Sequence, residues 1–407
     1  MLYNAYELHR SWLAGASAIA NVGAELLTNP ANPLSYFGGG PILASALEVF
    51  AHAAAPRGKP HFGLDSTVID GREVPVVERI EARNTFGQLR HFVREGAPEG
   101  QPRLLIVAPM SGHFATLLRG TVERMLPGHD VWITDWRDAR NAPLSEGSFD
   151  LDDYIDYLIE WLAHIGSGAH MLAVCQPSVP SYAAACIMSD RNDPNRPRTL
   201  TMMGGPIDTR EAPTVVNQLA TERPISWFEQ NVIATVPYPY AGVGRRVYPG
   251  FMQLAGFMSM NLGNHMVSHW EMFKHLVDGD EESAEATKRF YDEYRSVCDM
   301  TAEFYLQTVR EVFQLHSLPK GEFTHRGKRV DPGAIKDIAL LAIEGERDDI
   351  SGLGQTKAAL AIATSLPDEL KQYYMAPGVG HYGIFNGNRW RTKIAPVMER
   401  WIADHNG

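Results

Sequence analysis

Four short runs of almost unbroken apolar character limit what this chain can become: RLLIVAP (103–109), DVWITDW (130–136), HMLAVC (170–175) and TLTMMGG (199–205). A strand with one wet face alternates apolar and polar residues, whereas a strand covered on both faces reads as a continuous apolar run. Helical segments such as LDDYIDYLIEWLAHI (151–165) separate the runs. Strand–helix alternation with short loops predicts a parallel, doubly wound α/β sheet.

The pattern differs on either side. Residues 1–60 are Ala-rich and helical, broken by turn chemistry in NPANPLSYFGGGP, and form an expected N-terminal helical extension. The stretch STVIDGREVPVVERIEARNTFGQLRHFVRE alternates apolar and polar residues around turn signals, as antiparallel strands do. The strand–helix alternation stops near residue 206 and resumes with IALLAIEG (338–345), ELKQYYMAPG (369–378) and a last helix in TKIAPVMERWIADH. The expected division is therefore a core of 61–205 and 331–407, with 206–330 inserted as a mainly helical cap. Within that cap, 238–260 is rich in Pro and Gly, and an irregular surface is expected there.

Composition removes several function classes. There are 37 Lys+Arg against 48 Asp+Glu, a net charge of −11, which argues against nucleic acid as a partner. Three cysteines (Cys175, Cys186, Cys298) cannot build a disulfide framework, and point to a reducing, intracellular location. The uncharged stretches 171–189 and 247–270 are interrupted by Pro, Gly, Gln, Asn and His, so no membrane span is expected. His265 and His269 stand four apart without the glutamate of an H-E-x-x-H site, and no metal is expected.

The chemistry concentrates at strand ends. Ala173-Val174-Cys175-Gln176-Pro177-Ser178 follows a buried strand and opens a helix. A nucleophile at such a corner is held exposed in a tight turn, and the positive end of the helix dipole favours a thiolate. The sequence departs from the usual G-x-S-x-G. Ala173 keeps a small residue two before the nucleophile, and Pro177 fits a first helical position. A buried, inert thiol is the competing reading of Cys175.

Two further strand ends favour the catalytic one. IALLAIEG runs into Glu346-Arg347-Asp348-Asp349, and QYYMAPG into Val379-Gly380-His381-Tyr382-Gly383. Nucleophile 175, acid 348 and base 381 follow the chain order of α/β-hydrolases. Asp348 is preferred to Asp349 by its G-x-x-D spacing from Gly345. The oxyanion donors expected are the backbone N–H of Gln176 and that of Met110, with Ser111 as second choice. RLLIVAP ends in Met110-Ser111-Gly112-His113, where hydrolases place a glycine-bearing loop whose backbone N–H faces the nucleophile. His113 is either a local polar contact or a substrate contact.

With VAPMSGHFATLLRGTV, DVWITDWRDAR, LAVCQPSVP, EGERDDISG and PGVGHYGIFNG in view, nearly the whole chain resembles the intracellular poly(3-hydroxybutyrate) depolymerases. The resemblance implies an α/β-hydrolase fold and a Cys175–Asp348–His381 triad without cofactors. The implied activity is hydrolysis of amorphous short-chain polyhydroxyalkanoate at storage granules in the cytoplasm. Polyhydroxyalkanoate synthases are similar, with a comparable Asp135-Trp136-Arg137 segment, but their box usually carries glycine where Pro177 stands. An acyltransferase on hydroxyacyl-CoA (synthase or thioesterase) is thus the enzymatic alternative, and a granule-coating protein the non-enzymatic one. Phe251 and Phe257 are the expected contacts to a hydrophobic polyester, on a lid surface over Cys175.

Overall fold

The computed structural model describes residues 2–29, 31–33, 40–260, 288 and 291–407. Two N-terminal helices, α1 (Leu2–Thr28) and α2 (Gly40–Ala54), precede the sheet. The alternating stretch forms β1 (Ser66–Ile69), β2 (Arg72–Asn84) and β3 (Gly87–Arg94), joined as antiparallel neighbours. Asp70 and Gly71 both take positive φ in the first turn, the backbone that a tight hairpin requires.

The four apolar runs become β4 (Arg103–Val107), β5 (Asp130–Trp136), β6 (His170–Val174) and β7 (Thr199–Met203). Every residue of β6 and β7 is buried, as a strand sandwiched between helices must be. Helices α3 (Arg119–Met125), α4 (Leu151–Ile165) and α5 (Ser178–Asp190) lie between them in the chain. Helix α4 opens with a reciprocal cap, in which Asp150 accepts from the Asp153 N–H and Asp153 from the Asp150 N–H. Its buried face (Leu151, Tyr154, Ile155, Leu158, Trp161, Leu162, Ile165) recurs every three to four residues.

Between β7 and the next long strand the chain forms α6 (Val215–Glu222), α7 (Ile225–Asn231), the short strands β8 (Ala234–Thr235) and β9 (Arg246–Tyr248), and α8 (Gly250–Met260). Strand β10 (Met300–Thr301), the helix Ala302–Thr308 and a hairpin of β11 (Thr324–His325) and β12 (Lys328–Arg329) follow. The chain then returns to the sheet as β13 (Ala339–Gly345) and β14 (Lys371–Ala376).

The nine-stranded sheet has the order β1-β2-β3-β5-β4-β6-β7-β13-β14. From β5 to β14 all neighbours are parallel, while β3 runs antiparallel to β5. Leaving out the edge hairpin strand β1, this is the eight-strand order 1-2-4-3-5-6-7-8 with an antiparallel second strand. That is the α/β-hydrolase fold. Its parallel strands deliver their carboxyl ends to one edge of the sheet, where ligands of such sheets bind.

One local expectation is corrected. Residues 250–260 form helix α8 rather than irregular surface. Gly250 serves close packing here, because a Cβ at this position would stand 2.6 Å from the Cys298 carbonyl oxygen. The Gly250 N–H donates to Asp299 Oδ1 at 3.0 Å, which holds the first turn of the helix.

Candidate active site

The corner after β6 holds Cys175 with φ +67, a left-handed conformation that costs a non-glycine residue about 1–3 kcal/mol. Two backbone bonds keep it there. The Cys175 N–H donates to the Met203 carbonyl at 2.7 Å, and the Ser178 N–H donates to the Cys175 carbonyl at 3.0 Å. Helix α5 starts at once, with Pro177 as its cap residue at φ −59, so proline fits the turn without strain. Cys175 is half-buried, whereas Cys186 and Cys298 are buried, with burial pushing both of their thiols up.

Asp348 follows β13 in a turn closed by its own N–H to the Gly345 carbonyl. Its Oδ1 accepts from the backbone N–H groups of Ile350 (2.9 Å) and Ser351 (2.8 Å), which leaves Oδ2 for His381 Nδ1 at 2.7 Å. The loop is braced from behind. Buried Glu344 accepts from the N–H groups of Gly354, Thr356 and Lys357 and from the Tyr373 hydroxyl. His381 lies in the turn after β14, its Nδ1 engaged by Asp348 and the residue lining the same cavity as Cys175. Burial alone would lower this imidazole. The facing Cys175 and Asp348 outweigh that and raise it well above an ordinary histidine. The three strand-end residues singled out in the sequence therefore meet.

Met110 and Ser111 follow β4, whose end is pinned by Ala108. The Ala108 carbonyl accepts from Trp136 Nε1 (2.8 Å) and from the Tyr154 hydroxyl (3.2 Å). The Met110 N–H points at the residue after Cys175 and donates to the Gln176 side-chain carbonyl at 3.3 Å. Met110, Ser111, Gln176, Cys175 and His381 all line one cavity of about 440 Å³. Its walls are mainly apolar, with Phe228, Tyr248, Phe304 and Phe313 from the segment between β7 and β13.

His113 makes a local polar contact and also lines the cavity: its Nε2 donates to the Tyr294 carbonyl at 3.0 Å, and burial lowers its pKa to about 4, so the ring is neutral. Phe251 is not part of the cavity lining. Its ring stacks on Tyr6 at 3.8 Å and meets the edge of Tyr3 at 5.5 Å, because α1 lies across it. Phe257 falls on α8, but its side chain lies outside the described residues, as do His265 and His269.

Sequence reasoning passed over Gly204 and Tyr382. Gly204 takes φ +57, and a Cβ there would stand 2.7 Å from Ile384 Cδ1, 3.1 Å from Asp348 Oδ2 and 3.2 Å from His381 Cε1. It leaves room for the Asp–His pair, a role the Gly-Gly dipeptide after β7 could have signalled. Tyr382 lines the cavity beside His381 and hydrogen-bonds Tyr294, whose hydroxyl burial pushes up to about 12. No local signal announces that partner, 88 residues upstream by number (382 − 294).

Residues 204–406 match the family described as PHB de-polymerase C-terminus. The poly(3-hydroxyalkanoate) polymerase subunit PhaC of Haloarcula marismortui is 22% identical over 337 residues, covering 78% of this chain and 66% of that protein. The chain thus spans just under two thirds of the length of that relative. Among solved structures, DcsB in complex with its substrate analogue is 15% identical with a TM-score of 0.45, covering 82% of this chain and 99% of that one. The 2-hydroxy-6-oxo-6-phenylhexa-2,4-dienoate hydrolase of Rhodococcus sp. strain RHA1 is 11% identical with a TM-score of 0.43, covering 81% and 99%.

Proposed function

We propose that this chain is a cysteine-dependent ester hydrolase that cleaves amorphous poly(3-hydroxybutyrate) at intracellular storage granules. The observation that carries the reading is the Asp348–His381 hydrogen bond at 2.7 Å, with His381 and Cys175 lining the same apolar cavity of about 440 Å³. The match of residues 204–406 to a depolymerase family supports the substrate class. Residues 206–330 act as a cap that supplies the apolar walls.

The chemistry follows from the geometry. Asp348 holds His381 through Nδ1, so Nε2 faces the thiol, takes its proton and leaves an imidazolium beside a thiolate. The thiolate sulfur attacks the ester carbonyl carbon. The developing oxyanion takes hydrogen bonds from the backbone N–H groups of Gln176 and Met110, the Gln176 side chain giving up its hold on Met110. The tetrahedral intermediate collapses, the C–O bond breaks, and His381 protonates the departing hydroxyl. Water, deprotonated by His381, then attacks the acyl-cysteine and releases the acid with the thiol restored. No step calls for a metal or cofactor.

The 22% identity to a polymerase subunit favours a second reading, in which the acyl group passes to a growing chain from a CoA thioester. One experiment separates the two. The purified chain is incubated with amorphous poly(3-hydroxybutyrate), and separately with 3-hydroxybutyryl-CoA. Release of 3-hydroxybutyrate and short oligomers from polymer alone supports hydrolysis. Polymer growth with free CoA, and no acid from polymer, assigns the chain to acyl transfer.

A further inference from the structure

Helix α1 is apolar on two opposite faces. Tyr3, Ala20 and Ala24 are buried on one. On the other, Leu8, Trp12, Ile19, Val22 and Leu26 recur at steps of three, four and seven residues and so share a stripe, yet all five are exposed (Leu8 75%, Trp12 68%, Ile19 76%). Helix α2 adds exposed Ile42, Leu43 and Phe50. Eight large apolar side chains open to solvent on one helical hairpin form more bare apolar surface than scattered exposure produces.

Two observations indicate what covers this face. The first is charge. From Ser11 to Ala24 the helix carries no Asp, Glu, Lys or Arg, nor does α2 from Gly40 to Leu47. A helix that rests on an anionic bilayer needs basic residues along its polar flank, and the chain as a whole carries −11, which an anionic surface repels. An uncharged face suits uncharged material. The second is position. Helix α1 is fastened to α8 by the Tyr6–Phe251 stack at 3.8 Å, and to the segments around it by the Tyr3 hydroxyl donating to Asp299 at 2.5 Å and the Tyr240 hydroxyl donating to Glu7 at 2.8 Å. Gln253 and Gly256 of that same α8 line the cavity that holds Cys175. The exposed stripe is one helix removed from the site.

We propose that the outer face of α1, with α2, is the surface by which this chain rests on solid, uncharged polyester. The inference builds on the hydrolase reading above and moves the contact from Phe251, which α1 covers, to α1 itself. Docking through α1 sets α8 and the cavity beside the polymer surface, where a loosened chain segment reaches Cys175 without crossing bulk water.

The test uses the full chain carrying Leu8→Ser, Trp12→Ser and Ile19→Ser together, with Val22→Ser and Leu26→Ser as a second variant. Co-sedimentation with protein-free amorphous poly(3-hydroxybutyrate) granules measures adsorption, and a soluble short p-nitrophenyl ester reports the chemistry. Each variant is expected to lose adsorption by more than about tenfold, as removal of several apolar contacts dictates, with soluble-ester turnover and thermal unfolding unchanged. Undiminished adsorption in both variants overturns the proposal. So does a dimer that the variants dissociate while adsorption holds, which would assign the face to a second copy, and so does equal wild-type binding to phosphatidylcholine vesicles. Adsorption is scored without turnover, so a wild-type chain that adsorbs but releases no acid counts against the hydrolase reading and not against the docking face.

Discussion

His381 Nδ1 lies 2.7 Å from Asp348 Oδ2 with both side chains out of solvent, while the adjacent carboxylate, Asp349, is exposed. Two backbone N–H groups fix the other oxygen of Asp348, so only this residue can hold the imidazole in one tautomer. Asp348→Asn is expected to lower kcat on a soluble ester by about 10³–10⁴-fold, and Asp349→Asn by less than about tenfold. Equal, small losses would show that the acid is elsewhere.

Cys175 is among the groups that raise His381, so its removal carries a titration signature as well as a loss of activity. Cys175→Ala should abolish turnover with thermal unfolding unchanged or slightly raised. In Cys175→Ser the contribution of Cys175 is gone and burial is opposed by Asp348 alone, so His381 should titrate lower than in the parent chain. Proton NMR of the His381 ring over pH reads this directly. An unchanged midpoint would mean that Cys175 and His381 do not form the reactive pair.

Gly205 stands against the helix that begins after Cys175. A Cβ there would lie 2.0 Å from Ser178 Oγ and 2.2 Å from Ser178 Cβ, with Ser178 fully buried. Gly205→Ala must push α5 and its preceding turn away from β7, at a cost of about 1–3 kcal/mol in urea unfolding. A soluble-ester rate that falls along with stability is expected, since that turn carries Cys175. A variant as stable as the parent would indicate slack at this contact.

Stability should fall on going from weakly acid to weakly alkaline pH at one buried node. Burial, and then the facing Asp299, push the Asp138 carboxyl up to about 7, with Arg140 acting in the opposite direction. An unfolded aspartate titrates near 3.9. Between those values the folded chain keeps a proton that the unfolded chain has lost, so folding is favoured on the acid side and that gain disappears as pH rises through about 7. Calorimetry should show a lower Tm at about pH 8 than at about pH 6 from this node, and Asp299→Asn should shrink the difference by relieving Asp138. An identical pH slope in the variant would count against it.

Much of this was legible without coordinates. The continuous apolar runs determined the buried strands, since only a strand covered on both faces lacks polar alternation. Asp348 could be named because it follows such a run, and His381 because it stands between glycines just past the last strand, and the parallel sheet carries both of those ends to one edge. Cys175 could be named because a small residue, a nucleophile and a proline stand where strand turns into helix. These are local signals, spread over fewer than a dozen residues each.

The tertiary structure alone decided the rest. Phe251 reads as a lid aromatic by composition, but α1, more than two hundred residues earlier, lies across it. Tyr382 meets Tyr294, and the Met110 N–H meets the Gln176 side chain, through contacts that no periodicity encodes. The outer stripe of α1 has the spacing of an ordinary buried face, and only its exposure in the folded chain distinguishes it. Hydrophobic patterning tells which side chains must leave water. Which surface they find is settled by how distant segments pack, because burial is non-directional and the partner is chosen by shape.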